Sequence, residues 1–140
     1  MTHHENLKII AFIGADPIDV PTVIDHLAEK SFPKVTSQDM ISQIAHLADA
    51  GQHRIITGEL SDFTLYEELR HDFPGQFSLV GIAPKEDILL YEKDQAAEPE
   101  NWRKLQETHH TALLPLAHHY VETGNDLTKR VDALLEKLDF

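Results

Sequence analysis

Short apolar runs alternate along the chain with longer segments in which apolar residues recur every three or four positions. The runs are typical of β-strands covered on both faces, and the longer segments have the spacing of amphipathic helices. Several helical segments stop at Gly or Pro, which end helices. The predicted strands cover residues 7–13, 34–36, 54–57, 77–83 and 119–123; the predicted helices cover residues 19–28, 39–50, 61–72, 84–93, 99–114 and 125–138.

This alternation predicts an α/β fold: a parallel sheet of about five strands with helices on both faces, in three α/β/α layers. The length of 140 residues fits one domain, which we assign to residues 1–140. The first strand ends at Gly14. We expect the following helix to begin near Asp19 or Val20, because that start leaves Pro21 in the first turn, where a missing N–H costs little.

Charge and composition exclude several classes of function. The chain carries 24 acidic and 12 basic residues, a net charge of −12, with no cluster of Lys or Arg to bind a nucleic-acid backbone or an anionic membrane. It has no cysteine, so disulfides and thiolate metal sites are excluded. No apolar run is long enough for a membrane span and the first residues do not resemble a secretory signal, so we expect a cytoplasmic protein.

Four stretches carry a family resemblance. They are residues 9–14 with Thr22 eight residues further on, 54–62, 77–86 and 119–127. Together with the order of elements, they resemble the P-loop nucleoside and nucleotide kinase superfamily, especially its dephospho-CoA-kinase-like and adenylate-kinase-like members. The resemblance implies a P-loop NTPase-like fold with a phosphate-binding loop after the first strand.

The loop departs from the family pattern, Gly-x-x-x-x-Gly-Lys-[Ser/Thr], whose backbone N–H groups wrap a phosphate while the Lys neutralises it. Aligned on Gly14, the second Gly becomes Asp19, the Lys becomes Val20 and the Ser/Thr becomes Pro21. A carboxylate about 4 Å from a phosphate oxygen costs ~4 kcal/mol at an effective dielectric near 20. The lid region, about residues 91–108, is reduced and offers one arginine, Arg103, among five acidic residues. The sequence therefore predicts a degenerate Walker A loop.

The predicted site lies at the carboxyl ends of the strands, where α/β folds bind ligands. Its ligand-binding candidates are Gly14, Asp16, Asp19, Thr22, Asp39, Thr57 and Glu59. Glu59 is either a base or metal ligand or a solvated side chain, and Asp19 is either part of the site or a helix cap. No catalytic residue is assigned. A ligand here is expected to be cationic, metal-bridged or neutral.

Ten histidines include two adjacent pairs, His109-His110 and His118-His119. Neither pair has the i, i+4 spacing that aims two imidazoles at one ion, so we predict surface or pH-sensitive histidines and no metal site. Trp102 is expected in the core or on a dimer face.

The function favoured by these patterns is non-catalytic: a ligand-binding, regulatory or interaction module with no cofactor. Its expected partners are a small molecule, or a second copy or another protein. The alternative is an active small-molecule kinase of the nucleotide or CoA type, using ATP and Mg²⁺ through Gly14, Thr22 and Glu59, with Arg54 or Arg103 above Gly14. A third possibility is a purely structural homodimer. A response-regulator receiver is excluded, because its acceptor Asp is replaced by Thr57.

Overall fold

The computed structural model of the chain describes residues 7–30, 34–35, 39–60, 63–94 and 114–140. Most of the predicted helix over residues 99–114, with Trp102 and Arg103, lies outside these residues. The elements are β1 Lys8–Gly14, α1 Asp19–Ala28, β2 Lys34–Val35, α2 Met40–Asp49, β3 Arg54–Glu59, α3 Phe63–Asp72, β4 Phe77–Ala83, α4 Lys85–Asp94, a 3₁₀ turn Leu114–Leu116, β5 His119–Glu122 and α5 Leu127–Lys137.

The strands form one sheet in the order β2-β3-β1-β4-β5, and every paired neighbour is parallel. The predicted α/β fold with a parallel sheet is confirmed. The order differs from the dinucleotide-binding order 3-2-1-4-5-6 and from the flavodoxin-like order 2-1-3-4-5 of receiver domains. The topology therefore excludes both folds, independently of the residue at position 57.

β1 is the central strand, and its side chains enter two separate cores. Ile9, Ala11 and Ile13 pack in a cluster with residues of α2 and α3. Ile10 and Phe12 point to the other side and pack with residues of α1 and α5. Each large buried side chain contributes about 1.5–3 kcal/mol of burial free energy. Because α1 leaves β1 for the face opposite α2 and α3, the carboxyl end of β1 is a point where the chain connections diverge.

The predicted end of β3 at Thr57 is wrong, because the strand continues to Glu59. The pairing partner of Ile10 is Ile56, but the partner of Phe12 is Glu59, so three residues of β3 lie against two of β1. This irregularity is a β-bulge, which depends on how two strands pair and is not visible in the apolar pattern of one strand.

Three details of the helices differ from what the apolar pattern predicts. The pattern predicts both Ile88 and Leu89 on the inner side of α4, but Leu89 is 54% exposed, since adjacent helical residues point about 100° apart and Ile88 takes the partly buried position. It also predicts Ala28 in the buried stripe of α1, but Ala28 is exposed at the end of that helix. Asn125 is the capping residue that the sequence predicts for α5, but the N-cap is Asp126, whose side chain makes no capping hydrogen bond. No helix among the described residues is long and apolar enough to cross a membrane.

Candidate functional site

The candidate site is the loop of residues 15–18 between β1 and α1. It lies at the carboxyl edge of the sheet, where the connections from neighbouring strands diverge, and ligands bind at this position in open α/β sheets. α1 begins at Asp19, as predicted, with Pro21 in its first turn. Ile18 is the N-cap residue and makes no side-chain capping bond.

Backbone N–H groups of the loop are used within the chain. The N–H of Ala15 donates to the carbonyl of Ile82 at 2.9 Å, which ties the loop to β4. Asp16 accepts two more: its Oδ1 accepts from the N–H of Ile18 at 3.0 Å, and its carbonyl accepts from the N–H of Asp19 at 3.2 Å. A phosphate held by this loop would have to compete with these bonds for the same donors.

The space directly over Gly14 is occupied by the loop itself. A Cβ atom at this position would lie 3.2 Å from the carbonyl oxygen of Asp16 and 3.2 Å from Cγ2 of Val20. The hydroxyl of Thr22 is also engaged, because it donates to the carbonyl of Ile18 at 2.7 Å. The loop therefore packs closely against Gly14, and the Thr22 hydroxyl is already bonded within the chain.

Asp19 points into the protein. It is only 6% exposed, and its Oδ2 accepts a hydrogen bond from the hydroxyl of Thr123 at 2.8 Å. Thr123 follows β5 directly and its N–H donates to the carbonyl of Ala83 at 3.1 Å. Asp19 thus joins the loop to the end of β5. The sequence analysis had left open whether Asp19 is part of the site or a helix cap. The sequence analysis missed Thr123, although its place as the last residue of a predicted strand put it at the same edge as the loop.

The other candidates lie on separate elements of the described structure. Thr57 is fully buried inside β3, opposite Val35, so its side chain does not face solvent at the rim. Asp39 is exposed at the start of α2, after the edge strand β2, with a left-handed φ of 55°. The backbone of Glu59 ends β3 beside Phe12, and its side chain lies outside the described residues. Within the described chain, no buried polar side-chain atom lacks a hydrogen-bond partner.

Arg54 does not reach the loop. It begins β3 opposite Lys8, and its Nε donates to the carbonyl of Asp139 at 3.1 Å. Gly14 is six positions after Lys8 along β1, a distance of about 20 Å at the usual rise per residue. Arg54 therefore lies at the amino ends of the strands, whereas the candidate site lies at their carboxyl ends.

Two cations that the sequence analysis did not consider lie at the carboxyl edge. Lys85 is the first residue of α4 and is exposed. Arg130 of α5 donates to the carbonyl of Glu122 at 3.1 Å and approaches the carbonyl of Thr123 at 3.4 Å. The contacts of the described residues do not connect either cation with the space over Gly14.

The second histidine pair lies where β5 begins. The Nδ1 of His118 accepts a hydrogen bond from the backbone N–H of Leu79 at 2.8 Å, whereas His119 is the first residue of β5. His109 and His110 lie outside the described residues. Among the residues that are described, no group of three His, Asp or Glu side chains is placed to hold a metal ion.

No protein-family model matches this chain, and no curated protein matches it. Among solved structures, the chain is similar to the crystal structure of a gluconokinase from Sinorhizobium meliloti 1021. The two are 13% identical, the match covers 95% of this chain and 93% of that chain, and the TM-score is 0.49.

Proposed function

We propose that this chain is a three-layer, P-loop-kinase-like domain that does not transfer phosphoryl groups and acts as a ligand-binding, regulatory or protein-interaction module. We further propose that it forms a single domain over residues 1–140 and works in the cytoplasm. The observation that carries the proposal is the hydrogen bonding of the loop, in which Asp16 accepts from the backbone N–H groups of Ile18 and Asp19, which a phosphate would need as donors.

Energetics support a loop that rejects phosphate. A dissociation constant of 1 mM corresponds to about 4 kcal/mol of binding free energy. Repulsion by one carboxylate about 4 Å from a phosphate oxygen costs ~4 kcal/mol at an effective dielectric near 20, and the loop carries the exposed carboxylate of Asp16 without the usual Lys. Each loop hydrogen bond that must break adds about 0.5–1.5 kcal/mol. Together, these costs are at least as large as the binding free energy that corresponds to millimolar affinity.

The loop favours a different occupant. Asp16 and Pro17 are exposed, and Ile18 is 66% exposed, so the loop presents a carboxylate beside an apolar surface. That combination suits a cationic or metal-bridged small molecule, or a protein that covers Ile18. A second copy of this chain is one such protein, and light scattering over a range of concentrations tests a homodimer.

The alternative is an active nucleotide- or CoA-type kinase with an atypical loop, using ATP and Mg²⁺. In that case Gly14, Thr22 and Glu59 hold the nucleotide. Lys85 and Arg130 are the observations in its favour, because they place cations at the correct edge of the sheet. The bond from the Thr22 hydroxyl to the Ile18 carbonyl opposes it, since the hydroxyl is already engaged.

Thermal unfolding with ATP, ADP, CoA and dephospho-CoA, each with and without Mg²⁺, distinguishes the two. A ligand at 100 times its dissociation constant stabilises the folded state by ~2.7 kcal/mol, a shift of several degrees for a domain of this size. We expect no shift at millimolar nucleotide. A shift that is lost in Thr22→Ala and kept in the control Thr128→Ala would refute a loop that rejects phosphate, and an assay of phosphoryl transfer would then decide between a nucleotide-binding module and a kinase.

A further inference from the structure

β5 is a four-residue strand at the edge of the sheet, and β4 is its neighbour there. Near each end of β5, one side chain forms a hydrogen bond to another element. After its carboxyl end, the Thr123 hydroxyl is bonded to Asp19 of α1. Before its amino end, His118 is bonded to β4. In a short edge strand of this kind, the whole strand is expected to detach from its neighbour in one local opening event.

The bond at the amino end depends on the protonation state of His118. The backbone N–H of His118 donates to the carbonyl of Leu79 at 2.8 Å, and the N–H of Leu79 donates to the His118 Nδ1 at 2.8 Å. Nδ1 accepts a hydrogen bond only when it carries no proton, so the ring is neutral with its proton on Nε2. A second proton would place two donors against each other and break the bond.

The surroundings of the ring oppose that second proton. The His118 ring stands edge-on to Phe77, with centroids 5.9 Å apart at 88°. On α3, the Arg70 guanidinium lies 5.6 Å from the centre of the Tyr66 ring. Partial burial, and then the charges of Arg70 and His119, lower the pKa of His118 below its ordinary 6.5. Because His118 takes up protons more readily once it is released, falling pH favours the released strand.

We propose that protonation of His118 releases β5 from β4 and, through Thr123, loosens the loop over Gly14, so that the candidate site responds to pH. The two ends are coupled because they belong to one four-residue strand, and the Thr123 N–H is itself bonded to Ala83 of β4. The regulatory role rests on the ligand site proposed above, whereas the coupling itself needs no ligand.

Amide hydrogen exchange of the intact, ligand-free chain tests the coupling. Protection factors, corrected for intrinsic exchange, are compared at pH 8 and pH 5 for the amides of Leu79, Thr123 and Ile18. His118→Asn provides a carbonyl oxygen that accepts the Leu79 bond and does not titrate. His71→Asn is the matched control, since the His71 side chain is 89% exposed.

We expect protection of all three amides to fall about tenfold at pH 5 in the wild type and in His71→Asn, as for the loss of a hydrogen bond to a partly buried group. In His118→Asn the change should stay below about twofold. A fall confined to Leu79, or an equal fall in His118→Asn, would overturn the proposal.

If His118→Asn does not fold, the ¹⁵N chemical shift of the wild-type Nδ1 gives a direct readout. Its titration should coincide with the loss of Leu79 protection, and a mismatch between the two refutes the switch. Failure of the ligand site is detected separately, by thermal unfolding with ligands, and leaves this measurement unaffected.

Discussion

The Asp19–Thr123 hydrogen bond joins the candidate loop to the end of β5, and Thr123→Val removes it with little change of shape. The bond is short, 2.8 Å, and its acceptor belongs to a residue that is only 6% exposed. Hydrogen bonds to charged groups contribute about 1.5–3 kcal/mol, and the variant leaves the Asp19 carboxylate without this donor. We expect a loss of ~2 kcal/mol, which lowers the melting temperature by roughly 6 °C in a domain of this size.

Urea unfolding of Thr123→Val, Thr123→Ser and Asp19→Asn measures this contribution. Thr123→Ser keeps the hydroxyl and should lose less than about 0.5 kcal/mol. The double variant Asp19→Asn/Thr123→Val should lose less than the sum of the single changes, because both act on one bond. If the two Thr123 variants are equally stable, or if the double variant is additive, the bond does not hold the loop in place.

Four other substitutions test the structure at single positions. Asp139 has a φ of 58°, a conformation that glycine adopts more easily, so Asp139→Gly should raise the free energy of unfolding by about 0.5–1 kcal/mol in urea titrations. Gly51 has a φ of 92°, so Gly51→Ala should lower the free energy of unfolding by a similar amount. Gly81→Ala should destabilise by about 1–3 kcal/mol in the same assay, because its Cβ would lie 3.0 Å from the Tyr120 ring. Asp132→Asn should cost less than about 1 kcal/mol at pH 7. Burial raises the pKa of Asp132, but hydrogen bonds from Lys30 and His26 outweigh this effect and hold the pKa below its ordinary 3.8. The difference from wild type in acid–urea titrations should therefore fade as the pH falls below 3.8.

The alternation of strands and helices was readable from the sequence because burial on a sheet face and burial on a helix face leave different periods of apolar residues. Local signals also placed the start of α1 at Asp19, through Pro21, and the stop after α2 at Gly51. Both depend on the backbone preferences of the residues themselves. The end of β3 was not predictable in this way, because the bulge beside Phe12 arises from pairing with β1.

The sequence by itself determined the composition of residues 14–21, the candidate loop with its flanking residues: a glycine, two carboxylates and two prolines, with no lysine, which together oppose phosphate binding. Only the tertiary structure decided what those residues do. The Asp19–Thr123 bond joins residues 104 positions apart, and the burial of Thr57 depends on two neighbouring strands. Chemical character is set by each residue, but proximity is set by the sheet, whose parallel strands bring their carboxyl ends to one edge.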